Sequence, residues 1–291
     1  MSGMQGKVVV LTGGTSGIGE AAAIRLASMG ARLVLVARDA ARAKAAIKRL
    51  QKISPGIAPP HTAHLADLSL VDETRRVARE IAATEPRIDV LINNAGLICA
   101  RRQVNAEGYE LTFATNHLAY FVLTHGLLPR MLASDPARIV NTASEVHRGA
   151  KLDFGDLQSE QGYSGFGAYA KSKLANVLFT SELARRLFGS GVTANSLHPG
   201  VVASRFGLPR DGQSGDPSSA RFLSAQGISP EEGAQTIVYL ASAADAAKAT
   251  GQYFNQSRAV MPSKAAQNRA VAEKLWEESE HLGRIEYEIK G

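Results

Sequence analysis

The first forty residues confine this chain to few folds. Lys7-Val8-Val9-Val10-Leu11 is a short β-branched run that stops at Thr12-Gly13-Gly14-Thr15-Ser16-Gly17-Ile18-Gly19, and Glu20 to Met29 then has helical composition. Gly30 ends that helix, and Arg32-Leu33-Val34-Leu35-Val36 is a second apolar strand. Strand, glycine turn, helix and strand make a βαβ unit whose parallel strands are buried on both faces. The rhythm continues with a helix from Ala40 to Lys52, a weak strand near Thr62 to Leu65, and a helix near Val71 to Ala83. After these come strands at Val90-Leu91-Ile92, Arg138 to Thr142 and Val192 to Leu197, alternating with helices from Phe113 to Leu132 and Ala168 to Phe188. Such alternation predicts an α/β fold with a doubly wound parallel sheet flanked by helices.

Hydrophobic residues make up 45% of the 291 residues and charged residues 21%, enough for one large core, so residues 1–291 are expected to form a single domain. The net charge of +6 permits anionic partners, but the basic residues are scattered and no nucleic-acid motif accompanies them, which argues against nucleic acid. Cys99 is the only cysteine and has no metal-ligand companions, so neither a disulfide nor a metal site is expected. The seven histidines also lack metal-ligand spacing; His117, His125, His147 and His198 read as packing or supporting groups. Asn255-Gln256-Ser257 reads as a chance glycosylation triplet, since Met1 to Lys7 runs into a strand without a signal-type apolar segment. No apolar run reaches the length of a membrane span. A soluble cytoplasmic protein is expected.

Two stretches break the alternation. Residues 149–167 and 207–227 are rich in Gly and polar residues and are candidate substrate loops. Ser229-Pro230-Glu231-Glu232 then opens a helix with a capping Ser, an early Pro and a Glu three residues on. The tail, 263–291, is expected to hold one more helix from Ser263 to Leu282, carrying the only tryptophan, Trp276.

The chemistry-bearing residues fall at particular points of this pattern. Gly13, Gly17 and Gly19 follow a strand and open a helix, the context in which a turn lets the backbone approach a pyrophosphate at a helix N-terminus. At the end of the second strand stand Ala37 and Arg38; a small neutral residue followed by a guanidinium suits a 2′-phosphate, so NADP(H) is favoured over NAD(H). The alternative is that Asp39 takes the ribose. Tyr169 and Lys173 lie four apart in a helical segment and share a face, where an ammonium would favour a phenolate.

The spacing Thr12-Gly13-x-x-x-Gly17-x-Gly19 resembles the signature of the short-chain dehydrogenase/reductase family. The resemblance continues, in the family's order, through Asn93-Asn94-Ala95-Gly96, Ser144, Tyr169, Lys173 and Pro199-Gly200, and covers most of the chain. It implies a Rossmann fold and an NAD(P)-dependent oxidoreductase acting on CH–OH groups. Tyr169 is then the acid or base, Lys173 lowers its pKa and holds the nicotinamide ribose, Ser144 binds the carbonyl oxygen, and Asn116 serves a proton relay. Thr12, Thr15, Ser16 and Ile18 join the three glycines around the cofactor. Asp67 and Leu68 match the adenine position, with Asp67 alternatively a helix cap. Asn94, Ala95 and Gly96 flank the nicotinamide side, and Pro199, Gly200, Val202 and Ser204 match the segment that receives the carboxamide. Cys99 either lines the pocket or is a small buried hydrophobe.

An insertion between Ser144 and Tyr169, the stretches Asn141 to His147, His198 to Val202 and Ser229 to Gln235, and the Leu275-Trp276 tail resemble the retinol dehydrogenase-like branch. That branch implies a small apolar carbonyl or alcohol substrate, retinoid-, sterol- or long-chain-aldehyde-like. The alternatives are a catalytically silent NADP(H)-binding sensor or an NAD-linked alcohol dehydrogenase. Family members often form homodimers or homotetramers through the helices around Asn116 and Tyr169, whereas the long tail would suit a capped monomer.

Overall fold

The computed structural model describes residues 3–202 and 227–285. Apart from the tail helix, each expected strand and helix is present, with small shifts at the ends. Strands β1 (Val8–Thr12), β2 (Arg32–Ala37), β3 (Thr62–Leu65), β4 (Val90–Asn93), β5 (Ala137–Thr142) and β6 (Val192–His198) alternate with helices. These are α1 (Gly17–Ser28), α2 (Ala40–Ile53), α3 (Val71–Thr84), a long α4, α5 (Gly165–Arg186) and α6 (Pro230–Ser242). Helix α4 is continuous through Leu111–Phe113, a π-helical segment Ala114–Leu118, and Ala119–Leu132.

The sheet runs β3-β2-β1-β4-β5-β6-β7-β8 and is parallel except at its last pair. Strands β7 (Tyr253–Asn255) and β8 (Arg258–Val260) form a hairpin that the sequence pattern does not announce. Three residues per strand are too few to show a period, and the signal lies in the turn. Gln256 and Ser257 both have positive φ, 48° and 59°, the geometry of a two-residue hairpin loop. The Asn255-Gln256-Ser257 triplet is therefore a turn with a structural role of its own.

Strand order reverses between β1 and β4, and such a switch point opens a crevice at the carboxyl ends of the strands. Apolar side chains of α1, α2 and α6 cover one face of the sheet, and those of α3, α4 and α5 cover the other. The expected helix from Ser263 to Leu282 divides into a 3₁₀ turn, Ala265–Gln267, and α7, Arg269–Leu282. Asn268 separates them because its side chain accepts from the Val271 N–H and caps α7.

Helix α7 packs on α5, and Trp276 is its anchor. The indole is 2% exposed, lies edge-on to Phe121 at 5.0 Å, tilts against Phe179 at 5.9 Å, and has the Arg186 guanidinium over its face at 4.3 Å. Its Nε1–H donates to Glu280 at 2.6 Å. One residue thus joins α4, α5 and α7. Trp276→Ala should lower unfolding stability by about 3–5 kcal/mol, measured by denaturant titration.

Candidate active site

The glycine turn between β1 and α1 is closely packed. A Cβ on Gly19 would lie 2.2 Å from the Gly13 carbonyl oxygen and 2.5 Å from Asn94 Nδ2, so only glycine fits. Ser16 precedes α1 but makes no side-chain capping bond, which leaves the first-turn N–H groups without a side-chain acceptor among the described residues, and residues 15–18 lie partly exposed at the surface. This arrangement suits a phosphate at the helix N-terminus. Thr12 is turned inward: its Oγ1 accepts from the Asn94 and Ala95 N–H groups at 2.9 and 3.0 Å. That contact fastens the β4 loop to β1, so the Thr12 hydroxyl shapes the cradle.

At the end of β2, Ala37 is buried and Arg38 exposed, with no ion-pair partner for Arg38 among the described residues. Asp39 accepts from the Arg42 N–H at 2.9 Å as the cap of α2, and that hydrogen bond lowers its pKa. Asp67 Oδ1 accepts from both the N–H and the hydroxyl of Ser69, at 3.0 and 2.8 Å, and so shapes the turn leading to α3. Leu68 is buried beside it.

The β4 loop joins the cradle to the residues at the other end of the crevice. A Cβ on Gly13 would touch Ala95, and one on Gly96 would lie 3.2 Å from Asn116 Oδ1 and 3.7 Å from Lys173 Nζ. Asn116 sits in the π-helical segment, fully buried. Its amide accepts from Leu97 N at 2.8 Å and donates to Leu97 O at 2.9 Å and Ser172 Oγ at 3.0 Å. The side chain is thereby committed to holding the loop. Single π turns inside α-helices occur frequently at functional sites.

Ser144 leaves β5 at the start of a 3₁₀ turn, Glu145–Gly149, where its hydroxyl accepts from the Val146 N–H at 3.5 Å and lies close enough to the Tyr169 phenol to lower its pKa. Lys173, 2% exposed, donates to the Thr142 carbonyl at 2.9 Å and lies 5.5 Å from the Tyr169 ring centre. Burial pushes the Tyr169 phenol up to about 12, with the neighbouring Ser144 hydroxyl pulling the other way. Lys173 does not offset this. Burial brings it down to about 7, because an ion in the interior is costly to desolvate. The ammonium expected to depress the phenol is itself only partly charged near neutrality.

His147 and His198, read from the sequence as packing or supporting groups, take supporting positions, and Tyr253 and Ser263 join them. His147 accepts from the Ser263 N–H at Nε2, 3.1 Å, so its Nδ1–H donates to the Ser144 carbonyl at 2.8 Å. His198 Nδ1 accepts from the Glu145 N–H at 3.2 Å, and the Tyr253 hydroxyl donates to Glu145 at 3.0 Å. Three residues from the sheet end and the C-terminal segment hold the turn that presents Ser144. Gly233 of α6 is another: a Cβ there would meet Val202 at 2.6 Å, Ile18 at 2.8 Å and the Pro199 carbonyl at 3.4 Å. Gly200 lies in the same segment with φ of 91°. Ser204 and all of 207–227 except Gly227 lie outside the described residues. Cys99 is 1% exposed, which fits a buried hydrophobe. Among the described residues no cluster of His, Cys, Asp and Glu could hold a metal.

Residues 7–211 match the model of the family described as short chain dehydrogenase. Retinol dehydrogenase 14 of Mus musculus is 40% identical over 290 residues, 95% of this chain and 86% of that protein. Among solved structures, an uncharacterised Mycobacterium paratuberculosis protein superposes with a TM-score of 0.77 at 30% identity, covering 98% of this chain and 96% of that one. The NADP complex of Pseudomonas aeruginosa RhlG superposes with a TM-score of 0.66 at 26% identity, covering 91% of this chain and 98% of that one.

The buried lysine has a consequence for stability. Its pKa in the folded chain, about 7, lies below its ordinary 10.5, so between these values the unfolded chain binds more protons and stability rises with pH. Lys173→Met removes the buried charge. The substitution should raise the melting temperature of the cofactor-free protein more at pH 6 than at pH 9. Each unit of depressed pKa corresponds to about 1.4 kcal/mol, and calorimetry at the two pH values reads the difference.

Proposed function

Because the chain belongs to the short-chain dehydrogenase family, in its retinol dehydrogenase-like branch, we propose that it is an NADP(H)-dependent oxidoreductase of apolar carbonyl compounds and alcohols. An NAD(P)-dependent enzyme acting on CH–OH groups follows from the family; the cofactor preference, the substrate class and the residue roles are the proposal. One observation carries it. Ser144 and Tyr169 stand together beside Lys173, and the β4 loop connects this group to a glycine turn with an open helix N-terminus.

When bound, the nicotinamide cofactor gives or accepts a hydride. Residues 15–19 and the start of α1 suit its phosphates, Arg38 a 2′-phosphate, Asp67 and Leu68 the adenine, and Asn94, Ala95, Gly96, Pro199, Gly200 and Val202 the nicotinamide end. Support for NADP(H) comes from the exposed Arg38 and from Asp39 being occupied by its helix cap; the similar RhlG structure holds NADP. Tyr169 donates a proton to the carbonyl oxygen in reduction and accepts it back in oxidation. Ser144 gives that oxygen a second hydrogen bond, where charge develops in the transition state. Lys173 holds the ribose and, in its protonated fraction, places positive charge beside the phenol, and Asn116 keeps the loop and helix in register around it. The name of the mouse relative supports a retinoid-like substrate; sterol- and long-chain-aldehyde-like compounds belong to the same proposed apolar class. A cytoplasmic setting belongs to the proposal, and the free, buried Cys99 suits a reducing compartment.

Purified protein tested with NADPH and NADH against apolar aldehydes and ketones, retinal included, should consume NADPH preferentially. Tyr169→Phe should lower turnover by about 10²- to 10⁴-fold with cofactor binding kept; full activity in that variant removes Tyr169 from its role. Arg38→Ala should weaken NADPH by about 10- to 100-fold and NADH little, read by nucleotide fluorescence.

The raised phenol value gives a signed pH dependence. Tyr169 is protonated at neutral pH and ready as an acid, whereas oxidation needs the phenolate, whose fraction grows with pH. Alcohol oxidation should therefore rise from pH 7 to 9 while carbonyl reduction does not; parallel profiles would contradict the assignment.

A further inference from the structure

Asn176 lies on α5 one turn beyond Lys173 and two beyond Tyr169, on the same face of the helix. It is fully buried. Its Nδ2 donates to the Asn116 carbonyl at 2.8 Å and approaches the Thr142 carbonyl at 3.4 Å. Thr142 O is the oxygen that receives Lys173 Nζ. One amide therefore bonds the backbone of Asn116 and the backbone that holds Lys173. With Nδ2 aimed at two carbonyls, Oδ1 is left facing His117 Nδ1 at 3.4 Å, and His117 Nε2 in turn lies 2.8 Å from Ser279 Oγ on α7.

The hydrogens in this chain can be placed by counting donors. His117 is fully buried, and burial brings its pKa down to about 4, so it carries one N–H. If that N–H were on Nε2, the Nδ1 lone pair would face the oxygen of Asn176, two acceptors with no donor between them. If it is on Nδ1, it donates to Asn176, and the Ser279 hydroxyl donates to Nε2. Ser279 Oγ also lies 2.6 Å from the Leu275 carbonyl, but that oxygen already has the α-helical N–H four residues on. Turning the hydroxyl to His117 leaves nothing unsatisfied, and buried polar groups are costly when unpaired.

We propose that Asn176 is a positioning residue of the reaction, fixing the carbonyls of Asn116 and Thr142 and through Thr142 the Lys173 side chain, with its amide oriented by His117 in the Nδ1–H form. Ser279 makes α7 the far end of this connection. The order of donation runs from Ser279 to His117, to Asn176, and to the two carbonyls. A reversed amide would set its oxygen against both carbonyls. The inference rests on the proposed function only for the word reaction; the orientation of the amide and the ring stands apart from it.

The test has two arms, so the two can fail separately. In the cofactor-free protein labelled with ¹⁵N-histidine, long-range ¹H–¹⁵N correlation should show His117 neutral with the proton on Nδ1, and Asn176→Leu should move it to Nε2. A wild-type proton on Nε2 overturns the proposal, whatever the activity. In steady-state kinetics with the carbonyl substrate found by the NADPH panel, Asn176→Leu should lower kcat about 10-fold or more with KM little changed, since a displaced group costs rate more than binding. Unchanged kcat in the folded variant overturns the positioning role. If Asn176→Leu does not fold, Asn176→Ser, which fits the space but falls short of the carbonyls, is read in the same way. If no carbonyl is turned over by wild type, the proposed function fails while the histidine spectrum still decides the orientation.

Discussion

The structure depends most on the contact between one polar face of α5 and the carboxyl end of β5. Tyr169, Lys173, Asn176 and Thr180 follow one another at helical spacing and all face the sheet. Lys173 and Asn176 meet the Thr142 carbonyl, and Thr180 accepts from Asn141 at 2.9 Å, which itself accepts from Asn93 at 2.9 Å. Such a stripe is expensive to bury. It persists because nearly every group on it finds a partner at the end of a strand, where side chains and loop carbonyls replace the sheet's own bonds. The same contact fixes how far the helix can slide along the sheet, and thus where the phenol stands relative to Ser144.

Around this contact the apolar packing acts as a clamp. Helix α7 lies against α5, and the ring cluster of Phe121, His125, Phe179 and Trp276 fills the space between them. From the other side, the C-terminal segment reaches the 3₁₀ turn through Ser263 and Tyr253. The part of the chain most remote in sequence from the glycine turn is therefore the part that holds Ser144 and Asn116 in place. Packing and chemistry are coupled here through hydrogen bonds a few ångströms long.

Much of this was legible in the sequence, for identifiable reasons. The βαβ alternation follows from buried parallel strands, which need continuous apolar runs, and the glycine turn from its close approach to Asn94 and to its own carbonyl. The Tyr169–Lys173 pair is a helical spacing, and Asn176 extends it by one more turn, so the signal for Asn176 was present but has no meaning until the facing carbonyls are known. The β7–β8 hairpin escaped because its strands are short and its turn uses Gln and Ser in place of glycine. The inward turn of Thr12 and the bonds of His117, His147 and His198 depend on contacts between distant segments, which no local pattern encodes. The depressed lysine escaped for a related reason, since spacing shows that two groups meet and says nothing about how much water is removed from each.

The central claim is that this group of residues moves a hydride between a nicotinamide and the carbon of a small apolar carbonyl compound, with Tyr169 handling the proton. The most direct measurement uses NADPH deuterated on the transferred face of nicotinamide C4 and follows the alcohol product by mass spectrometry and NMR. The account predicts that deuterium appears on the carbinol carbon of the product. Product formed without deuterium on that carbon, with the label left in the nucleotide or lost to solvent, would contradict it.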